Sequence, residues 1–226
     1  MAVLLPFLLL VPAVVVAIPV HEMGHAVAAY LLGDRSVRYF GHFSADPRRF
    51  IEPYGVLAVA VALVGWGNRV PVQSNRISTT GQKVLFELGG PAANLAVAIV
   101  LGVVLRLVHP GGNGGVATAY VAVYAIWFLN VSIFAFQLLP IPGLDGWYII
   151  EALFRRSNPR FFFDVTMRRR EIWAGAVIVL LGLQFLARIN LLNFVMLPFY
   201  EPASLISLGI CGGYVTAVTL LAPCLP

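Results

Sequence analysis

The chain has 226 residues, 60% of them hydrophobic and 11% charged, with a formal net charge of +5 and a mean hydropathy of +0.88. Soluble domains carry about 25% charged residues, so a water-soluble domain is excluded and the chain reads as an integral membrane protein. A pI near 9.6 would suggest nucleic acid in a soluble protein, but here basic residues mark cytoplasmic loops. No aromatic-basic motif is present, and nucleic acid is not an expected partner.

The first apolar run extends from Val3 to Leu32. At about 1.5 Å per residue it can cross the ~30 Å hydrocarbon core with tilt. Pro6, Pro12 and Pro19 are candidate kinks within it, or plainly tolerated prolines. A cleaved secretory signal is not expected: the basic n-region is missing, and cleavage after Val15-Val16-Ala17 would sever the next segment from its anchor.

That next segment is His21-Glu22-Met23-Gly24-His25. On a helix, positions i and i+4 share a face, so the two imidazoles can meet one tetrahedral zinc. Glu22 falls beside the metal, where a carboxylate can take a proton from water whose pKa the metal lowers to about 7. Three ionisable side chains among Val, Ala, Leu, Ile and Pro would be costly to bury alone, and a divalent cation compensates them. The chemistry is peptide-bond hydrolysis. Ala26, Ala28 and Ala29 then offer a close approach to another helix.

From Gly33 to Pro53 the chain turns polar and reads as a loop, with an edge near Val37-Arg38-Tyr39-Phe40 that could form a short β element within residues 37–52 and receive an extended peptide. Tyr54 to Trp66 is apolar but short for a crossing, so a re-entrant or interfacial segment is expected. A full span follows from Val84 to Val108, containing Gly89-Gly90-Pro91-Ala92-Ala93-Asn94. Asn94 brings an amide into an apolar helix, either to bond a neighbouring helix or to contact substrate in a pocket. After a glycine-rich loop at Gly111 to Gly115, another span runs from Val116 to about Leu139.

That span breaks at Gln137-Leu138-Leu139-Pro140-Ile141-Pro142-Gly143-Leu144-Asp145-Gly146. A catalytic zinc needs three protein ligands and an open position, and Asp145 is the best third ligand available. The alternative is a turn or capping aspartate. His42 and His109 are other candidates, without motif context. Arg155 to Glu171 is strongly basic, and apolar runs from Ile172 to about Met196 and from Ala203 to Ala222 complete the chain. Cys211 and Cys224 lack metal or redox spacing and read as core or lipid-facing thiols.

If residues 54–66 do not cross, the loops at Gly33–Lys83 and Arg155–Glu171 lie on one side and hold 13 of the 15 basic residues. The positive-inside rule makes that side cytoplasmic and puts the N-terminus outside. It also brings His21, His25 and Asp145 to one depth.

With His21-Glu22-Met23-Gly24-His25 and Leu144-Asp145-Gly146 in place, the sequence resembles the site-2 protease family of intramembrane zinc metalloproteases. The resemblance extends over Gly33-Asp34, Glu52-Pro53-Tyr54-Gly55, Gly65-Trp66, Pro71-Val72 and Gly90-Pro91-Ala92-Ala93-Asn94. It implies His21, His25 and Asp145 as ligands of one Zn2+ per chain, Glu22 as general base, and cleavage of transmembrane or membrane-associated proteins near the cytoplasmic face. Two positions depart from the family pattern: Gln137 stands where the family often has Asn, and Gly143 where it often has a second Pro. Asn94 and Gln137 are candidate substrate or pocket residues. The expected fold is one all-α, multi-pass bundle over residues 1–226, with five to six transmembrane or re-entrant segments in the cell membrane. Rival readings are a non-proteolytic membrane binding protein of the same fold and a zinc transporter.

Overall fold

A computed structural model of the chain describes residues 4–44, 46–73, 75–108, 114–186 and 191–209. His109, Arg188, Cys211, Cys224 and most of the 203–222 run therefore lie outside the described residues, as does most of the glycine-rich loop. Among the described residues there are eight α-helices: α1 (Leu4–Leu31), α2 (Pro53–Ala62), α3 (Thr80–Leu107), α4 (Gly114–Gln137), α5 (Asp145–Phe154), α6 (Pro159–Met167), α7 (Arg169–Leu186) and α8 (Leu191–Leu208). Leu10–Leu31, Thr80–Leu107, Val116–Gln137 and Leu191–Leu208 are long and apolar enough to cross a membrane.

The bundle is built on α1, α3 and α4, which pack against one another, with α8 against α3 and α4. Gly24 of α1 faces Gly89 of α3, and a Cβ on Gly89 would stand 2.8 Å from the Gly24 carbonyl oxygen. Small residues at this crossing let two backbones approach as no larger side chain would. The α1–α4 seam buries Ala13, Ala17 and Ile18 against Leu129 and Ile133. Trp127, Phe128 and Val131 of α4 pack with Met196 and Tyr200 of α8. A capping box starts α3: Thr79 Oγ1 accepts from the Gln82 amide at 3.2 Å while Gln82 Oε1 accepts from the Thr79 amide at 3.1 Å.

Two expectations change. Among the described residues, 37–52 hold no strand but two 3-10 turns, Arg35–Arg38 and Pro47–Arg49, and one antiparallel bridge between Ile51 and Gly67. Turn chemistry wins locally, since Asp34 and Asp46 cap the turns through their carboxylates, Pro47 opens the second, and Gly41 takes a positive φ of 77°. The boundary between the two closing apolar runs, expected between Met196 and Ala203, also changes: among the described residues, α8 starts at Leu191 and runs through Pro198 and Pro202 to Leu208. Neighbouring helices in a bundle can absorb the backbone groups that proline frees.

The short apolar segment forms a single brief helix, α2. Ten residues of α2 rise roughly 15 Å, half a hydrocarbon core. Leu63 then turns left-handed with φ 56°. The chain comes back beside its starting point: Ile51 bridges Gly67, the Asn68 amide donates to Phe50 O at 2.8 Å, and Asn68 Nδ2 donates to Ile51 O at 2.9 Å.

Candidate metal centre

His21 and His25 sit one turn apart on the buried face of α1, each about 2% exposed. The break after α4 delivers the third group. Leu144 precedes α5 without a capping side chain, and Asp145 is the first helical residue, 4% exposed, with its carboxylate turned toward the imidazoles rather than the backbone. Asp145 Oδ2 lies 3.1 Å from His21 Nε2 and 3.1 Å from His25 Nε2, and the two Nε2 atoms are 3.2 Å apart.

These three edges fit a zinc. Ligands about 2.0–2.2 Å from a tetrahedral ion stand roughly 3.3–3.6 Å from one another, close to the triangle observed. The outer hydrogen bonds supply a second argument. His25 Nδ1 lies 2.8 Å from Phe86 O, which can only accept. His21 Nδ1 lies 2.8 Å from Asn94 Oδ1. Asn94 donates its amide to Ala17 O at 2.9 Å and to Asn130 Oδ1 at 2.8 Å, while Asn130 donates to Ile126 O at 2.8 Å. Because this chain ends on backbone carbonyls, each amide orientation follows from the one before it. Both imidazoles thus donate from Nδ1 and, when neutral, turn the lone pair of Nε2 inward. Three lone-pair donors converge on one point, a repulsive arrangement that a cation resolves. Facing helix α3 also leaves space there: a Cβ on Gly90 would stand 2.7 Å from His21 Cε1 and still nearer His25 Nε2.

Glu22 is 4% exposed and, with His21, His25 and Asp145, lines a cavity of about 260 Å³. Its Oε2 is buried without a hydrogen-bond partner, available to a water or substrate in the cavity. Gln137 lines the cavity too, donating from Nε2 to Gly65 O at 3.2 Å and so tying the end of α4 to the segment returning from α2. Asn94 does not line it; fully buried, it supports His21 from behind. His42 is apart from the cluster, its ring 5.8 Å from that of Phe50, and burial pushes its imidazole below the ordinary value. Among the described residues, His21, His25 and Asp145 are the one group able to hold a metal ion.

Sequence reasoning missed Asn130 and Arg69. Asn130 was detectable on the grounds that singled out Asn94, an amide inside an apolar span. Arg69 gave no local signal. Its Nη2 donates to Glu87 Oε1 at 2.6 Å, its Nη1 lies 3.7 Å from Asp145 Oδ1, and its guanidinium stands 3.9 Å from the Tyr148 ring centre. Burial works against its charge, but Glu87 and Asp145 outweigh that and hold the guanidinium above its ordinary value.

Known proteins are similar to this chain over about two thirds of its length. The chain is 34% identical over 155 residues to "Putative zinc metalloprotease YwhC" of Bacillus subtilis (strain 168), covering 66% of this chain and 70% of that protein. It is 31% identical over 159 residues to "Putative zinc metalloprotease Rip2" of Mycobacterium tuberculosis, covering 68% of this chain and 60% of that protein. With the Rip2 of Mycolicibacterium smegmatis the identity is 32% over 151 residues, covering 64% of this chain and 57% of the relative. No protein-family model and no solved structure matches the chain at significance.

Proposed function

Because this chain belongs to the site-2 protease family of zinc metalloproteases, we propose that it hydrolyses peptide bonds of transmembrane or membrane-associated proteins within the bilayer, near its cytoplasmic face. The observation that carries this reading is the buried convergence of His21 Nε2, His25 Nε2 and Asp145 Oδ2 beside Glu22, whose Oε2 is buried without a partner. His21, His25 and Asp145 would hold the ion. Zinc, when bound, supplies Lewis acidity that polarises a carbonyl and acidifies water. Glu22 takes the proton from the attacking water and returns it to the leaving amide nitrogen. A substrate helix hides its carbonyls in i to i−4 bonds, so it must unwind before it fits the cavity. A larger apolar cavity of about 550 Å³ shares Trp66 and Trp173 with the metal cavity, which supports an apolar substrate.

The cytoplasmic placement rests on the returning α2 excursion and on the charge bias. With residues 52–66 leaving and rejoining one side, α1 and α4 both end on the side that carries 13 of 15 basic residues. The test is proteomic comparison of membranes holding the wild type with those holding Glu22→Gln. Loss of the general base should cut turnover about 10²–10⁴-fold while zinc content stays equal. Unchanged cleavage in that variant would sink the mechanism.

A further inference from the structure

The third ligand offers Oδ2 to the imidazoles and leaves Oδ1 facing Arg69 Nη1 at 3.7 Å. Arg69 comes from the returning segment after α2 and is fixed from two other directions. Its Nη2 pairs with the buried Glu87 on α3, and its plane lies 3.9 Å from the centre of Tyr148, one turn beyond Asp145 on α5. One guanidinium therefore spans Glu87 on α3 and both Asp145 and Tyr148 on α5. A planar fork can hold two carboxylates in set directions where a lysine cannot. Carboxylates that ligate metals are characteristically held from outside in this way.

We propose that Arg69 is a positioning residue for the metal centre: anchored by Glu87 and Tyr148, it holds the outer oxygen of Asp145 so that Oδ2 completes the ligand triangle. The proposal rests on the metalloprotease reading above. The direction of the effect separates positioning from charge. By Coulomb attraction alone, removing a cation beside the site should tighten zinc binding. Losing a fixed ligand should weaken it about 10–100-fold.

The experiment measures zinc affinity of the full chain in detergent micelles by competition with a chelator, with thermal unfolding of the zinc-free forms recorded alongside. Arg69→Gln leaves Glu87 buried and unpaired and can fail to fold, so the deciding comparison is Glu87→Gln against Arg69→Gln/Glu87→Gln. In that background the pairing of Arg69 with the Glu87 charge is already gone, and what remains acts on α5 through Asp145 and Tyr148. The double variant should bind zinc about 10–100-fold more weakly than Glu87→Gln, and Arg69→Lys should fall between wild type and the double variant. Equal or tighter binding by the double variant would overturn the positioning role. A wild-type chain that bound no zinc would overturn the metalloprotease reading, and the proposal with it.

Discussion

At the residue scale, the centre depends on what stands behind the ligands and what is missing in front of them. Asn130 never touches His21, yet it fixes the Asn94 amide that receives the His21 Nδ1 proton. Asn130→Leu should weaken zinc binding about 10-fold or more with the bundle intact, as checked by chelator competition. Gly90 is the converse case. Alanine in a helix is favoured over glycine by about 1 kcal/mol, but its Cβ would intrude on His25 Nε2 and His21 Cε1. Gly90→Ala should therefore keep its helix signal and lose zinc, and a variant with full metal content would refute that geometry. These two residues also mark what the sequence makes legible. His21, Glu22 and His25 announce themselves because the chemistry lies within five consecutive positions. Asn94 shows as a polar residue out of place, but whether it serves the pocket or a ligand is decided by which helix faces it. Arg69 is one arginine among several in a polar stretch, and only the return of the chain after α2 gives it meaning.

At the level of elements, the spans were readable because a bilayer demands about 20 apolar residues per crossing helix, and α1, α3 and α4 each satisfy that length. Boundaries near proline were less so: the run expected to end near Met196 instead passes Pro198 inside α8. The loop after α1 was the least legible, because its locally capped turns are also tied to a distant partner. Asp34 Oδ1 accepts from the Ser36 amide at 3.0 Å and Ser36 Oγ at 2.6 Å, while Oδ2 accepts from the Gln73 amide at 2.8 Å, thirty-nine positions on. Burial pushes the Asp34 carboxyl up, but these hydrogen bonds outweigh it and hold the group below the usual carboxylate range. The folded carboxyl thus binds a proton less tightly than the unfolded chain, which is protonated first as pH falls. The stabilisation is full above pH ~4 and drains as pH falls through the folded value. Asp34→Ala, which strands the Gln73 amide, should cost about 1–3 kcal/mol at pH 7. Thermal unfolding in detergent at pH 7 and below pH 4 should show that gap narrowing with acid; a gap independent of pH would show that the carboxylate is not what ties the two loops.

For the whole molecule, the question is which way the bundle faces, and the fold converts it into a count of crossings. The excursion from Glu52 to Trp66 is closed at its base by the Ile51–Gly67 bridge. If a chain that leaves and rejoins at one point contributes no crossing, the loops before α3 and after α4 share a side with the proposed metal centre. Were α2 to cross, the arginines of residues 35–49 would face away from those of residues 155–169, and the charge bias would dissolve. The expected outcome is specific: single cysteines replacing Arg48 and Arg156, each in a chain whose own Cys211 and Cys224 are changed to serine, should both react with a membrane-impermeant maleimide only in inverted vesicles. Both positions are solvent-facing, so silence from either would not reflect burial. Labelling of the two from opposite sides would mean that α2 completes a crossing after all, and would separate the returning segment that carries Arg69 from the centre it is drawn against.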